Sequence, residues 1–444
     1  MLPLRTHLLA VLLSAGQFSA AAPENGRAVV EYWEKWTGLE ADVMQGVVDD
    51  FNASQDRIFV RMLTVSRMDQ KMMLATAGGV PPDIAGLWAM YLTSYVENNA
   101  LTPLDKLARE AGVREEDYIP VYWQMCTQKG HLWALPTTPT VTALHWNKKM
   151  FRAAGLDPEQ PPRTLEELEQ FNERLTRRGA DGSLEQIGHM PQEPGWWTRD
   201  FSHWFGGSVW DASGRLLLEQ QPSIDHFRWA ATYPARFGGD AMNRLRGAFG
   251  NFASPQNPFF NGKVAMIVQG VWMNNFIRQY APSDFEYGVA PFPTPAAQRG
   301  APVSIADCDV LVIPKGARHP KEAMEFIAYT QTRAAMEKLC LGQKKFTPLR
   351  EVSPGFVENH PHPYLQTFVD LANSPNVRPI LALPTVLQYS NDLTTYMNLL
   401  LLGRLGPDEA RAALQERQQR ALDKKTERWN RVKDKRLAQW RSQS

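Results

Sequence analysis

A chain of 444 residues is too long for one ordinary hydrophobic core and suits two domains. It is 43% hydrophobic and 21% charged with a formal net charge of +1, and no lobe-sized segment is basic enough to be a nucleic-acid footprint. The three cysteines, Cys126, Cys308 and Cys340, match no zinc, redox or haem spacing; they allow at most one disulfide, and burial is the role expected of each.

The N-terminus reads as a secretory signal. Arg5 and His7 precede a short apolar run over 8–16, and small residues at 19–22 suit cleavage after Ala21. The run is too short to span a bilayer comfortably, and no cysteine beside it offers a lipid anchor. A periplasmic or extracellular location follows. Beyond it, strand and helix alternate. Strands are predicted over 28–33, 58–65 and 83–88, and helices over 39–51 and from Ser66 through Leu74. That alternation marks an α/β lobe with a mostly parallel sheet. A strand-like run from Gly130 is expected to stop at Pro136, a further strand covers 141–146, and a short helix follows to Ala154. Thr164 and Glu167 form a capping box for a helix whose buried stripe is Leu165, Leu168, Phe171 and Leu175. An Asn261-Gly262 turn opens an apolar strand that ends in Gly270-Val271-Trp272. A late strand over 307–314 precedes a helix with Pro320 in its first turn. The C-terminal part is helical, and its last stretch, 420–441, is strongly basic and expected to be a solvated helix.

Several blocks in this order resemble the extracellular solute-binding proteins that serve ABC importers, the sugar-binding, maltodextrin-binding-protein-like branch in particular. They are Pro82-Asp83-Ile84; Leu101-Thr102-Pro103-Leu104-Asp105; Gly130-His131-Leu132-Trp133-Ala134-Leu135-Pro136; Trp146-Asn147-Lys148-Lys149-Met150-Phe151; the Phe260 to Trp272 segment; Tyr287-Gly288-Val289-Ala290-Pro291; and Ile313-Pro314-Lys315-Gly316. The resemblance runs from about residue 28 to the C-terminal helices. Trp146 stands where the family usually has Tyr, and Ala306-Asp307-Cys308 lacks a common Gly-Gly. The resemblance implies an α/β, two-lobed periplasmic-binding-protein (type II-like) fold with a helical C-terminus. By analogy the signal peptide covers 1–21, the N-lobe 22–136 and 300–338, and the C-lobe 137–299 and 339–444. It also implies a sugar, an oligosaccharide by expectation, bound between hinged lobes and delivered to ABC permease subunits in the membrane by a monomer that needs no cofactor.

A sugar presents hydroxyls at its edges and C–H groups on its faces, so its site needs aromatic plates together with carboxylates, amides and basic groups. Such residues fall at strand ends, where α/β proteins bind ligands. The candidates are Glu34 and Trp36 after the first strand, Asp83 and Trp88 bracketing the third, and Asp307 on the late strand, with Asp309 on the same face by alternation. Gln192-Glu193-Pro194-Gly195-Trp196-Trp197 resembles the "E-P" loop of maltodextrin-type proteins, which implies ligand contact for Glu193, Trp196 and Trp197. Trp272 matches the family's Gly-x-Trp aromatic, and Tyr389 falls where a late aromatic closes the platform. Fourteen tryptophans are available, but a single Trp builds core more often than it binds ligand, and Trp204 and Trp210 are assigned to core.

Catalytic readings find little support. No HExxH or other metal spacing and no Gly-x-Ser-x-Gly elbow occurs, and Gly262-Lys263 lacks the rest of a phosphate loop. A pair of cleft carboxylates such as Glu34 and Glu193 would suit a glycoside hydrolase, but carboxylates in a sugar site bind hydroxyls equally well without catalysis. A same-fold binder of a glycerol phosphodiester or a polyamine is the other alternative. An anion would want Arg or Lys at the cleft, and no basic cluster stands among the candidates, which favours a neutral sugar.

Overall fold

The computed structural model describes residues 26–211, 214–298, 300 and 302–443, so the signal peptide assigned to 1–21 lies outside the described residues. Two α/β lobes face each other. In the first, strand Ala28–Glu34 pairs in parallel with Ile58–Thr64 on one side and Ile84–Trp88 on the other. Each strand is followed by a helix, Leu39–Ser54 and Met68–Ala77 among them, that lays an apolar face on the sheet. Met44, Val47, Val48 and Phe51 supply that face for the first helix at the 3.6-residue spacing the sequence predicts.

Strand Ser304–Val312 completes the lobe and leads out of it. It runs antiparallel to Ile84–Trp88 through Asp309 to Val312, and its start pairs in parallel with Val377–Pro379. Along its other side it pairs with Leu135–Val141. Pro136 therefore does not halt the chain, as the sequence suggested. Leu135–Val141 is an edge strand carrying both Pro136 and Pro139, and an edge tolerates residues that cannot donate to a ladder. These two long strands carry the chain between the lobes. The third passage comes later than the expected Leu339: helix Arg333–Gly342 packs on helix Leu39–Ser54, and Ile119 N–H still donates to the Pro348 carbonyl.

The second lobe is built on a sheet ordered Tyr287–Ala290, Ala143–Asn147, Val264–Gln269, Leu184–His189, Arg177–Arg178. Helix Leu165–Leu175 starts as predicted, with Thr164 Oγ1 accepting from Glu167 N–H at 3.2 Å. Glu167 reaches back to the Arg163 N–H, one residue earlier than the capping box requires.

The C-terminal helix Pro407–Arg441 corrects a second expectation. It starts on the second lobe, where Gln415 and Gln419 accept from the Leu218 and Leu216 N–H groups. It ends on the first lobe. There Trp440 is only 1% exposed, packed edge-on to Trp133 at 4.7 Å and stacked with Trp429 at 5.5 Å between ring centroids. The basic tail is thus a strap between the lobes rather than a solvated appendage. Most of its charges lie on the outward face, which is why composition alone suggested solvent, while Arg411 and Arg436 donate to the Leu218 and Glu97 carbonyls. The three cysteines are free and buried.

Candidate functional site

A cleft of about 550 Å³ separates the lobes. The first-lobe wall comes from the ends of its strands. Lys35 and Trp36 follow strand Ala28–Glu34, Trp88 ends its strand and leads to Met90 and Tyr91, and Asp307 and Asp309 lie on the long strand Ser304–Val312. Lys345 and Glu40 complete it. The second-lobe wall is aromatic: Trp196 and Trp197 from the loop after strand Leu184–His189, Trp272 from the turn after Val264–Gln269, and Phe252 and Phe276 beside them.

The aromatic wall is a connected set of rings. Trp197 and Trp272 stack with centroids 5.9 Å apart, and Phe252 touches Trp196 at 4.7 Å and Phe276 at 4.9 Å. Close packing requires Gly270 before Trp272: a Cβ there would sit 2.4 Å from both Thr140 Oγ1 and the Trp272 ring. Trp197 presents an indole N–H that is buried with no hydrogen-bond partner among the described residues, and buried donors normally find one.

The opposite wall is ionic and nearly balanced. Lys35 Nζ lies 2.9 Å from Asp309 Oδ1 and 3.4 Å from Glu34 Oε1, and it also sits over the rings of Trp36 at 4.6 Å and Trp88 at 5.2 Å. Lys345 Nζ lies 2.7 Å from Glu40 and 3.8 Å from Asp309. Burial draws both ammonium pKa values down, but the adjacent carboxylates more than offset it, so both stay protonated. Arg199 Nε lies 3.2 Å from Asp200. Asp307 behaves differently. Burial first, then the neighbouring Asp309, pushes its carboxyl up to about 7, with Arg199 opposing. It accepts from the Cys308 N–H at 2.9 Å.

Of the residues expected from sequence, Trp36, Trp88, Trp196, Trp197, Trp272, Asp307 and Asp309 line the cleft together. The other four do not. Glu34 is fully buried below it, accepting from Tyr32 O–H and from the Lys35 and Trp36 N–H groups, so it positions Lys35 rather than meeting a ligand. Asp83 accepts from the N–H groups of Glu31, Arg318 and His319 at 2.8–3.0 Å and anchors the start of helix Pro320–Thr330. Tyr389 is 1% exposed inside the core under helix Val386–Leu401. Glu193 is half-buried and does not line the cleft; burial lifts its carboxyl to about 7 against the pull of Arg246. The sequence reading missed Lys35, Glu40, Tyr91, Arg199 and Lys345. Lys35 sits between two named candidates and could have been found there. Phe252 and Phe276 carry no local signal because the fold alone brings them to the wall. The absence of a basic cluster expected from sequence is also corrected: three cations reach this cleft. Among the described residues no group of His, Cys, Asp and Glu could hold a metal ion.

Two α/β lobes, strand ends converging on a gap between them and an aromatic wall facing a polar one define a solute-binding architecture. The chain belongs to the bacterial extracellular solute-binding protein family, whose profile matches residues 37–337. Among solved structures it is similar to CpMnBP1 with mannotriose bound, at 26% identity and a TM-score of 0.77 over 88% of this chain and 99% of that one. It shares its fold with the sugar-binding protein MalE of Xanthomonas citri, at 20% identity and a TM-score of 0.74 over 90% of this chain and 98% of that one. Among curated relatives it is 25% identical over 306 residues to the sn-glycerol-3-phosphate-binding periplasmic protein UgpB of Pectobacterium atrosepticum. That match covers 66% of this chain and 64% of the relative's length.

Proposed function

We propose that the protein is the substrate-binding subunit of an ABC importer. It captures a neutral sugar between its lobes and presents it to permease subunits in the membrane, working as an exported monomer in the periplasm or outside the cell. The carrying observation is the pairing of walls. Stacked rings on one side suit the C–H faces of a pyranose, and fixed donors and acceptors on the other suit its hydroxyls. No bond is made or broken. Glu34, half of the carboxylate pair that suggested hydrolysis, is engaged by Tyr32, Lys35 and the main chain. CpMnBP1, with mannotriose bound, supports a saccharide ligand.

The second reading is the other polar solute, a glycerol phosphate ester: the curated relatives are named for the monoester sn-glycerol-3-phosphate, and three cations reach the cleft. Against it, Lys35, Lys345 and Arg199 each have a carboxylate within 3.2 Å, so none offers an uncompensated charge to an anion. Isothermal titration against manno- and malto-oligosaccharides and sn-glycerol-3-phosphate decides between them. At 100 times its dissociation constant the true ligand should also stabilise the fold by about 2.7 kcal/mol. Tight binding of the phosphate with no response to any saccharide would overturn the sugar reading.

A further inference from the structure

Helix Pro407–Arg441 is pinned to both lobes, and the two pins differ in kind. On the second lobe it lies along helices Gln221–Tyr233 and Val386–Leu401. Gln415 and Gln419 accept from main-chain N–H groups there, Arg411 donates to the Leu218 carbonyl, and Arg417 Nε meets Asp392 at 2.7 Å. Its contacts with the first lobe are made by side chains. Trp440 packs on Trp133 and, at 5.9 Å between centroids, on His131, with its indole N–H 3.4 Å from Asn99 Oδ1. Arg436 donates to the Glu97 carbonyl, and Lys129 Nζ lies 4.7 Å over the Trp429 ring and 3.3 Å from Glu97.

Between the pins the helix borders the gap. Lys425 lines a cavity of about 510 Å³ whose other walls include Asp69 and Tyr95 of the first lobe and Thr385 and Leu387 of the second. From Gln419 to Trp429 the helix rises about 15 Å, and it keeps that length because stretching would break its i→i−4 hydrogen bonds. A rotation that widens the gap on this side carries the two anchor points apart, so one pin has to release. The second-lobe pin buries Ala410, Leu414, Gln415, Gln418 and Leu422, whereas the first-lobe pin buries Trp440. The first-lobe end is therefore the one that gives way.

We propose that the C-terminal helix is a latch across the gap: docking of Trp440 on the first lobe holds the lobes at the separation seen here, and the gap widens when that end undocks. The latch governs access to the cleft whichever solute binds there, so it stands apart from the choice between a sugar and a phosphate ester.

The test needs no ligand. Nitroxide labels at Lys71→Cys and Thr395→Cys, exposed positions on one helix of each lobe, report the separation by pulsed electron paramagnetic resonance, and the three native thiols are buried away from the label. The labelled parent should give one narrow distance peak. Trp440→Ala should raise a longer-distance population about 100-fold relative to the docked one, the factor expected for deleting a buried indole. Lys129→Ala combined with Arg436→Ala leaves the buried ring in place and should raise it about 20-fold, which keeps the test open if Trp440→Ala does not fold. Val48→Ala, in the first-lobe core away from the strap, lowers stability without touching either pin and should leave the peak unchanged. A broad distribution in the labelled parent, an unchanged peak in both pin variants, or an equal widening in Val48→Ala would overturn the latch.

Discussion

Asp309→Asn is the sharpest test of the ionic wall. The substitution keeps the shape of the side chain and an amide oxygen to accept from Thr138 Oγ1, now at 2.8 Å, but removes the charge shared by Lys35 and Lys345. Both lysine side chains are nearly inaccessible, at 2% and 4%. At an effective dielectric of about 20, pairs at 2.9 and 3.8 Å are worth on the order of 4–6 kcal/mol each before desolvation. Removing one partner of a buried pair typically costs about 3–5 kcal/mol. Lys35 retains Glu34 at 3.4 Å and Lys345 retains Glu40 at 2.7 Å, which places the expected loss at the lower end, about 3 kcal/mol. Urea unfolding should show a lower midpoint at an unchanged slope. The cleft also becomes one unit more positive, so sn-glycerol-3-phosphate should bind the variant more tightly than the parent. A loss under about 1 kcal/mol with no gain in phosphate affinity would mean that the lysines are already solvated, and the argument for a neutral ligand would fail.

Other outcomes are equally concrete. Trp272→Ala should weaken saccharide binding about 10- to 30-fold, since one ring face covers a third or so of the roughly 150–250 Å² an indole buries; an unchanged dissociation constant by titration would remove this ring from the site. Asp307 has a folded pKa of about 7, above its unfolded value, so its contribution to stability is complete below pH of about 4 and is lost as the pH rises to about 7. Thermal melts of Asp307→Asn at pH 5 and pH 8 should show a shallower pH dependence than the parent, not a flat one, because Glu193 titrates with the same sign; identical slopes would contradict the assigned burial. Trp440→Ala should undock the end of the strap at a local cost of about 3 kcal/mol, seen as faster trypsin cleavage beyond Arg428; equal cleavage rates would show that the packing against Trp133 contributes nothing.

Much of the fold was legible because local chemistry and global packing agree. Apolar spacing placed helix Leu39–Ser54, and the Thr164 cap placed helix Leu165–Leu175. Where they disagreed, tertiary context won. Pro136 reads as a strand breaker but lies on an edge strand, and the charges of the last helix conceal a buried Trp440. The site was half legible for a related reason. An aromatic at a strand end can be seen in a sequence, but whether its ring meets the gap or the core depends on neighbours far along the chain. Trp196 and Tyr389 carry similar local signals; one lines the cleft and the other is sealed inside helix packing.

The order of strands and helices, the turn into Trp272 and the tryptophan supply belong to the sequence by itself, because backbone preferences and apolar periodicity act over a few residues. Which carboxylates reach the cleft was decided only by the tertiary structure. Glu34, Asp83, Asp307 and Asp309 all sit on or beside strand ends, but lobe packing ties the first two to the main chain and brings the last two to the cleft beside Lys35 and Lys345. A charge becomes a ligand contact, a cap or a counter-ion according to what lies within about 4 Å of it, and residues far apart in the chain set that distance.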